Sequence, residues 1–279
     1  MPHFSPSTLS YPAGFLAALG LLLTAAGAAQ AQTPASFGPA STYPAGIIPI
    51  GMAVGDVNGD GRPDIITVDP ANDAAGVLLR LAGGGFSAAS SYSAGAYSSP
   101  YGIAVADVNG DGRLDIATAN YGSSTAGVLL GRIGGGFASV TTYSTGATSN
   151  PRSVAVGDVN GDGRPDIVTA NGGSNTAGVL LGLASGGFAS VSTYSTGTSS
   201  QPCGVAMADV NGDGRLDIVT ANYTSSSAGV LLALASGGFG PVSTYSTGSF
   251  PSGVAVGDVN GDGRPDIVTA NTGSNTAGV

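Results

Sequence analysis

Residues 56–65 read DVNGDGRPDI, and nearly the same text returns at 107, 158, 209 and 258. A chain that repeats itself about every fifty residues is confined to architectures built from stacked, equivalent units. The similarity covers the whole period. In the third unit, apolar Ser153–Val159 leads into the phrase and DIVTAN (166–171) follows it. AGVLLGLASGGF (177–188) and ASVSTYSTG (189–197) complete the unit. Each apolar stretch is short, rich in Val, Ile, Thr and Tyr, and bounded by Gly, Asn and Ser, the punctuation of β-strands. Past the N-terminal apolar run, no stretch carries a sustained helical period with caps. Four strands per unit predict an all-β fold, a β-propeller of four-stranded antiparallel blades, with a β-sandwich or solenoid as the competing architecture.

The ends divide the reading. FGPASTYPAG (37–46) matches the fourth strand of a unit, and the sequence stops at NTAGV (275–279), which elsewhere continues as AGVLLG. Four whole repeats and one split repeat are therefore visible. Either the N-terminal strand completes the last blade of a five-bladed ring, or the chain is a fragment of a larger propeller, truncated at the C-terminus. Stopping in mid-strand favours the fragment, because an unpaired apolar edge is usually avoided. Residues 1–31 read as a secretory signal: an apolar run of 15 (15–29), too short to span a bilayer, precedes an A-x-A cleavage pattern at Ala29–Ala31. The expected organisation is a signal peptide over 1–31 and a propeller over 32–279, with secretion to the extracellular space or cell surface and no membrane insertion after signal removal.

Composition sharpens what the phrase is for. All 17 acidic residues are Asp, and 15 of them lie in the five phrases; the others are Asp69 and Asp73. With a net charge of −9 and eight Arg as the only basic residues, the chain lacks the basic patch that nucleic acid or an anionic membrane demands. Within the phrase, oxygen-bearing side chains fall at positions 1, 3, 5 and 9, and position 7 offers a carbonyl. Gly at positions 4 and 6 lets the loop wind tightly. Such a hard-oxygen set suits Ca²⁺; Zn²⁺ wants His or Cys, which the loops lack. An EF-hand is excluded, since position 12 is Thr67, Thr118, Thr169, Thr220 or Thr269 rather than Glu, and the flanks are strands.

On these motifs the units resemble FG-GAP/VCBS repeats, similar to those of integrin α-subunit propellers and of many secreted bacterial proteins. The resemblance implies a calcium loop between the first two strands of each blade. Carried over by position, the ligands are Asp56, Asn58, Asp60 and Asp64 in the first copy. The later copies supply Asp107, Asn109, Asp111, Asp115; Asp158, Asn160, Asp162, Asp166; Asp209, Asn211, Asp213, Asp217; and Asp258, Asn260, Asp262, Asp266. Arg62, Arg113, Arg164, Arg215 and Arg264 contribute a backbone carbonyl only.

Catalysis is not expected. The one His is His3, inside the signal, and Glu and Lys are absent, which removes most general bases and nucleophiles. Asp69 and Asp73 occupy ordinary turn positions, and Cys203 has no His partner. The expected function is an adhesion or protein-interaction scaffold held by structural Ca²⁺. A carbohydrate-binding lectin module and a non-catalytic accessory region of a larger secreted enzyme are the alternatives. The partner is an extracellular protein or glycan. The calcium phrases barely vary between copies, whereas the loops joining strands 4–1 and 2–3 do. That second face carries the candidate partner-binding residues Tyr101, Tyr121, Arg152, Tyr223 and Phe250.

Overall fold

The computed structural model describes residues 38–279; the expected signal segment lies outside them. Nineteen strands form five antiparallel sheets in chain order. The first sheet holds β1 (Gly51–Gly55), β2 (Asp64–Asp69), β3 (Ala74–Leu78) and β4 (Ser90–Ser93). The second holds β5 (Pro100–Ala106), β6 (Asp115–Asn120), β7 (Thr125–Leu129) and β8 (Thr141–Ser144). The third holds β9 (Pro151–Gly157), β10 (Asp166–Asn171), β11 (Thr176–Leu180) and β12 (Ser192–Ser195). The fourth holds β13 (Pro202–Ala208), β14 (Asp217–Asn222), β15 (Ser227–Leu231) and β16 (Ser243–Ser246). The fifth is three-stranded: β17 (Pro251–Gly257), β18 (Asp266–Asn271) and β19 (Thr276–Gly278). Each sheet is an up-and-down blade, as the repeat pattern predicts. Successive first strands pack together, β1 on β5, β5 on β9, β9 on β13 and β13 on β17.

The core lies between blades. Ile66, Val68 and Val77 of the first blade are buried with Ile103, Ile116 and Leu129 of the second. Val108, Ala119 and Val128 meet Val154, Ile167 and Leu180 in the same way, and Val159, Val168 and Val179 meet Val205, Ile218 and Leu231. β2, β6, β10 and β14 are buried almost throughout: β6, β10 and β14 have a sheet on either side, and β2 has the second blade on one side and the N-terminal segment against Thr67 and Asp69. The outer strands are only four residues long, mostly Ser and Thr, and largely exposed. In β4, β8 and β12 the Tyr turns inward, where Tyr92, Tyr143 and Tyr194 sit edge-on to Phe137, Phe188 and Phe239 of the next blade, with centroids 5.1–5.2 Å apart. Such contacts add about 0.5–1.5 kcal/mol to the area each ring buries.

A buried Asn ties each of the second, third and fourth blades to the chain arriving from the one before. Asn120 Nδ2 donates to Ala94 O, Asn171 to Thr145 O and Asn222 to Thr196 O, at 3.0–3.2 Å. In the first blade the arriving chain is the N-terminal segment. Ala45 O accepts from Thr67 Oγ1, Asp69 accepts from the N–H groups of Ile47 and Ile48, and Tyr43 lies edge-on to Phe86. The segment expected to act as an outer strand thus rests against the first blade and does not complete the fifth. The five sheets form an open series, with Met52 and Val54 exposed at one end (41% and 39%) and Val259 at the other (59%).

The blades are of two kinds. The residue before the loop and loop position 8 are Gly55 and Pro63, then Ala106 and Leu114, Gly157 and Pro165, Ala208 and Leu216, and Gly257 and Pro265. A Cβ on Gly55 would lie 2.9 Å from Leu114 Cδ1, and one on Gly157 would lie 3.2 Å from Leu216 Cδ1. The Leu of an even blade therefore fills the space left by the Gly of the odd blade before it.

Replacing Asn120 by Ala is expected to destabilise the protein by about 1–3 kcal/mol, since buried partners lose their bonds. Asn271→Ala should cost less, because Asn271 Oδ1 is already without a partner among the described residues. Urea unfolding followed by circular dichroism compares the two.

Candidate metal loops and the opposite face

Each phrase folds into the same hydrogen-bonded loop between the first two strands of its blade. In the first, Asp56 Oδ1 accepts from the N–H groups of Gly59 and Asp60, and Oδ2 accepts from Gly61 at 2.7 Å. Asn58 Oδ1 accepts from Asp60 N–H, and Asp60 Oδ1 from Arg62 N–H, each at 3.0 Å. Gly59 and Gly61 have φ of 75° and 82°, a region costly to residues with a Cβ. The same bonds recur in the third copy around Asp158 and Asp162.

Position 9 behaves differently from positions 1, 3 and 5. Asp64, Asp115, Asp166 and Asp217 are fully buried. Asp166 Oδ2 accepts from Val159 N–H at 2.9 Å, and Oδ1 accepts from Gly182 N–H at 2.7 Å, just beyond β11. One carboxylate thus fastens the loop to the end of the third strand. Burial pushes the Asp115 and Asp166 carboxyls above their ordinary value. The N–H bonds offset part of this, while the charges at Asp111 and Asp107, or Asp162 and Asp158, add to the rise. For Asp107 at position 1, burial also raises the value. The N–H groups of Gly112, Asp111, Gly110 and Asn109 outweigh it and hold the carboxyl below its ordinary value.

The loop Arg does more than lend a carbonyl. The guanidinium of Arg62 pairs with Asp60, and the other four Arg pair likewise with Asp111, Asp162, Asp213 and Asp262. Arg62 Nε also donates to Arg80 O at 3.2 Å, and Arg164 Nε to Gly182 O at 3.0 Å. As the loops stand, no group of three or more His, Cys, Asp or Glu is placed to hold a metal ion among the described residues. The donor types nevertheless suit a hard cation. All are oxygens, and a carboxylate oxygen that accepts one N–H keeps a lone pair.

Asp69 and Asp73 are structural. Asp69 accepts from Ile47, Ile48, Ala71 and Asn72, and Asp73 from Tyr97, Ser98 and Ser99. Cys203 is buried, with Sγ 3.1 Å from Pro251 O. Burial pushes its thiol up to about 12 against the opposing charge of Arg152.

On the face opposite the phrases, the variable residues gather into two groups. Tyr101 and Tyr121 have ring centroids 5.0 Å apart, and the Arg152 guanidinium lies over the Tyr121 ring at 5.4 Å. Tyr223 stacks on Phe250 at 5.0 Å and 26°. Tyr101 and Arg152 also line a channel of about 690 Å³ bounded by the first strands of the five blades. Arg152 Nε is buried without a hydrogen-bond partner among the described residues. Repeat comparison identifies Arg152 as variable, but its lack of a partner becomes visible only once blades two and three are side by side.

With metal removed by chelator, Asp166→Asn is expected to cost about 1–3 kcal/mol through its two buried N–H partners. Asp162→Asn, on the exposed rim, should stay within about 0.5 kcal/mol. Denaturant midpoints distinguish a buried fastening from a rim of equivalent carboxylates.

The fold has counterparts among solved structures. A virginiamycin B lyase from Staphylococcus aureus aligns over 82% of this chain and 82% of its own, with 14% identity and a TM-score of 0.53. A protein from Lactobacillus plantarum aligns over 83% and 70%, with 16% identity and a TM-score of 0.57. An auxiliary nutrient binding protein from Bacteroides ovatus aligns over 82% and 58%, with 12% identity and a TM-score of 0.56. At such identities the likeness is one of fold. No curated protein sequence matches the chain. The FG-GAP-like repeat model matches four times, over residues 56–118, 108–169, 158–220 and 210–269. With its loops and blades at those positions, the chain belongs to the FG-GAP-like repeat family.

Proposed function

We propose that the protein is a secreted, non-catalytic interaction scaffold. Its blades are stabilised by Ca²⁺ at the phrase loops, and its partner docks on the opposite face. The observation that carries the docking reading is Arg152. Its guanidinium lies on Tyr121, and it lines the channel beside Tyr101. A cation held on an aromatic face beside a channel suits a carboxylate on a protein or an acidic glycan. Tyr223 and Phe250 offer a second, apolar contact on the same face.

Calcium, when bound, would supply the positive charge that three neighbouring carboxylates lack. Asp56, Asn58, Asp60 and Asp64 with the Arg62 carbonyl, and their equivalents in the other loops, would hold it. Arg62 supplies one positive charge to this cluster through Asp60, so calcium uptake competes with that ion pair.

Added Ca²⁺ is expected to raise the melting temperature, by about 2.7 kcal/mol of stabilisation per independent site at one hundred times Kd. A melting curve indifferent to Ca²⁺ and to chelator would remove the metal from this reading. For the docking face, the wild-type protein is expected to bind acidic members of a glycan and peptide array, and Arg152→Ala is expected to lose them with an unchanged melting temperature. Equal binding by both proteins would overturn the role of Arg152.

A further inference from the structure

On the face opposite the phrases, the loop joining one blade to the next is bent in the same way three times. Tyr97 and Ser99, Thr148 and Asn150, and Ser199 and Gln201 all have φ between 41° and 53°. Left-handed backbone is costly away from glycine, most of all for a β-branched residue such as Thr148, and strain of this kind gathers at ligand clamps. In the first blade the bend has an occupant. The Asp73 carboxylate accepts from the N–H groups of Tyr97 and Ser99 at 3.1 and 2.7 Å, and from Ser98 Oγ at 3.3 Å. N–H groups turned to one point in this way form an anion-binding nest, here filled from within the blade.

The residue equivalent to Asp73 decides whether the nest is filled. In the third blade it is Asn175, whose amide has the shape of a carboxylate and whose Oδ1 accepts from Gln201 N–H at 2.8 Å. In the fourth it is Ser226, but the loop there is two residues shorter, GSF (248–250) against GTSSQ (197–201). Only in the second blade does a full-length loop meet a short side chain, that of Ser124. Its hydroxyl accepts from Asn150 N–H at 3.3 Å, and no carboxylate accepts from the exposed Thr148 N–H among the described residues. The surroundings favour an anion. Residues 121–125 and 145–150 contain no Asp. Asn150 Nδ2 donates to the carbonyl of Tyr121, whose ring carries the Arg152 guanidinium.

We infer that the bend at Thr148–Asn150 is a binding site for an Asp side chain of a partner polypeptide, whose carboxylate takes the place that Asp73 holds in the first blade. The N–H groups of Thr148 and Asn150 and the Ser124 hydroxyl receive its oxygens, and Arg152 favours its charge. The first blade shows that an Asp side chain on a peptide turn fits this bend, which assigns a polypeptide ligand over an acidic sugar. The inference rests on the reading that a partner docks on this face, and adds where its carboxylate goes.

The test titrates N-acetyl-aspartate amide into the 279-residue chain at constant ionic strength, with backbone amides followed by nuclear magnetic resonance. The amides of Thr148 and Asn150 are expected to shift and saturate, and chloride at the same concentrations to leave them in place. Ser124→Asp fills the nest from within, so probe binding should fall about tenfold or more and the melting temperature should rise by about 1–4 °C. Asp73→Ser empties the nest of the first blade and should make the amides of Tyr97 and Ser99 respond to the probe. Equal binding by the wild-type protein and Ser124→Asp would overturn the inference, as would a chloride response equal to that of the probe. Glucuronate bound more tightly than the aspartate probe would overturn the assignment to a polypeptide. The docking reading is judged apart, by Arg152→Ala on the array. If Thr148 and Asn150 stay silent while Arg152→Ala still loses its acidic ligands, the nest is refuted and the docking face is not.

Discussion

One buried carboxylate in each of the first four blades holds the architecture in register. At loop position 9 it receives N–H groups from the loop and from just beyond the third strand, as Asp64 does from Val57 and Arg80. Three stretches of chain must converge before both oxygens are satisfied, and a buried polar group left unpaired is expensive. The blade's first hairpin and the end of its third strand are therefore fixed by a single side chain. Positions 1 and 5 perform the local task of coiling the loop on its own N–H groups. The phrase can then tolerate repetition, since each copy is structurally complete within its own blade.

Stability along the series is distributed like that of other repeat arrays, with each unit contributing itself and the interface to its neighbour. The apolar clusters lie across blade boundaries, so an isolated blade would expose both faces of its central strand. The buried Asn–carbonyl bond and the Tyr–Phe contact cross the same boundary. This division explains why the inner strands are small and apolar while the outer ones are short and Ser/Thr-rich. Crowding near the channel leaves little room, and exposed edges are made poor templates for pairing with other chains.

Much of this was legible in the sequence. The period, the four strands per unit and the placement of the loops follow from punctuation and alternation. The separation of loop face and variable face follows from antiparallel order, and the register agrees, with Pro100 opposite Asn120 at one end and Ala106 opposite Asp115 at the other. The role of position 9 was not legible, because its partner Gly182 lies 16 residues beyond Asp166 and meets it only through strand pairing. The Arg–Asp pair at positions 7 and 5 was missed for a different reason: oxygen counting looks for ligands and overlooks a cation already in the phrase. Arg152 and Tyr121, 31 positions apart in sequence, become neighbours only through blade packing. The N-terminal segment matched an outer strand in sequence, but its carbonyl and N–H groups found Thr67 and Asp69 of the first blade.

The alternation of Gly55, Ala106, Gly157, Ala208 and Gly257 bears on how such a chain can grow or shrink. Losing or gaining one blade inside the series would bring two like faces together, producing either a Leu against an Ala or a Pro over a Gly. Losing or gaining two adjacent blades restores every contact. Copying errors in the gene would thus be tolerated in steps of about 102 residues, twice the 51-residue interval between the first loops. The heritable unit of this protein is then a pair of blades, although its visible structural unit is one.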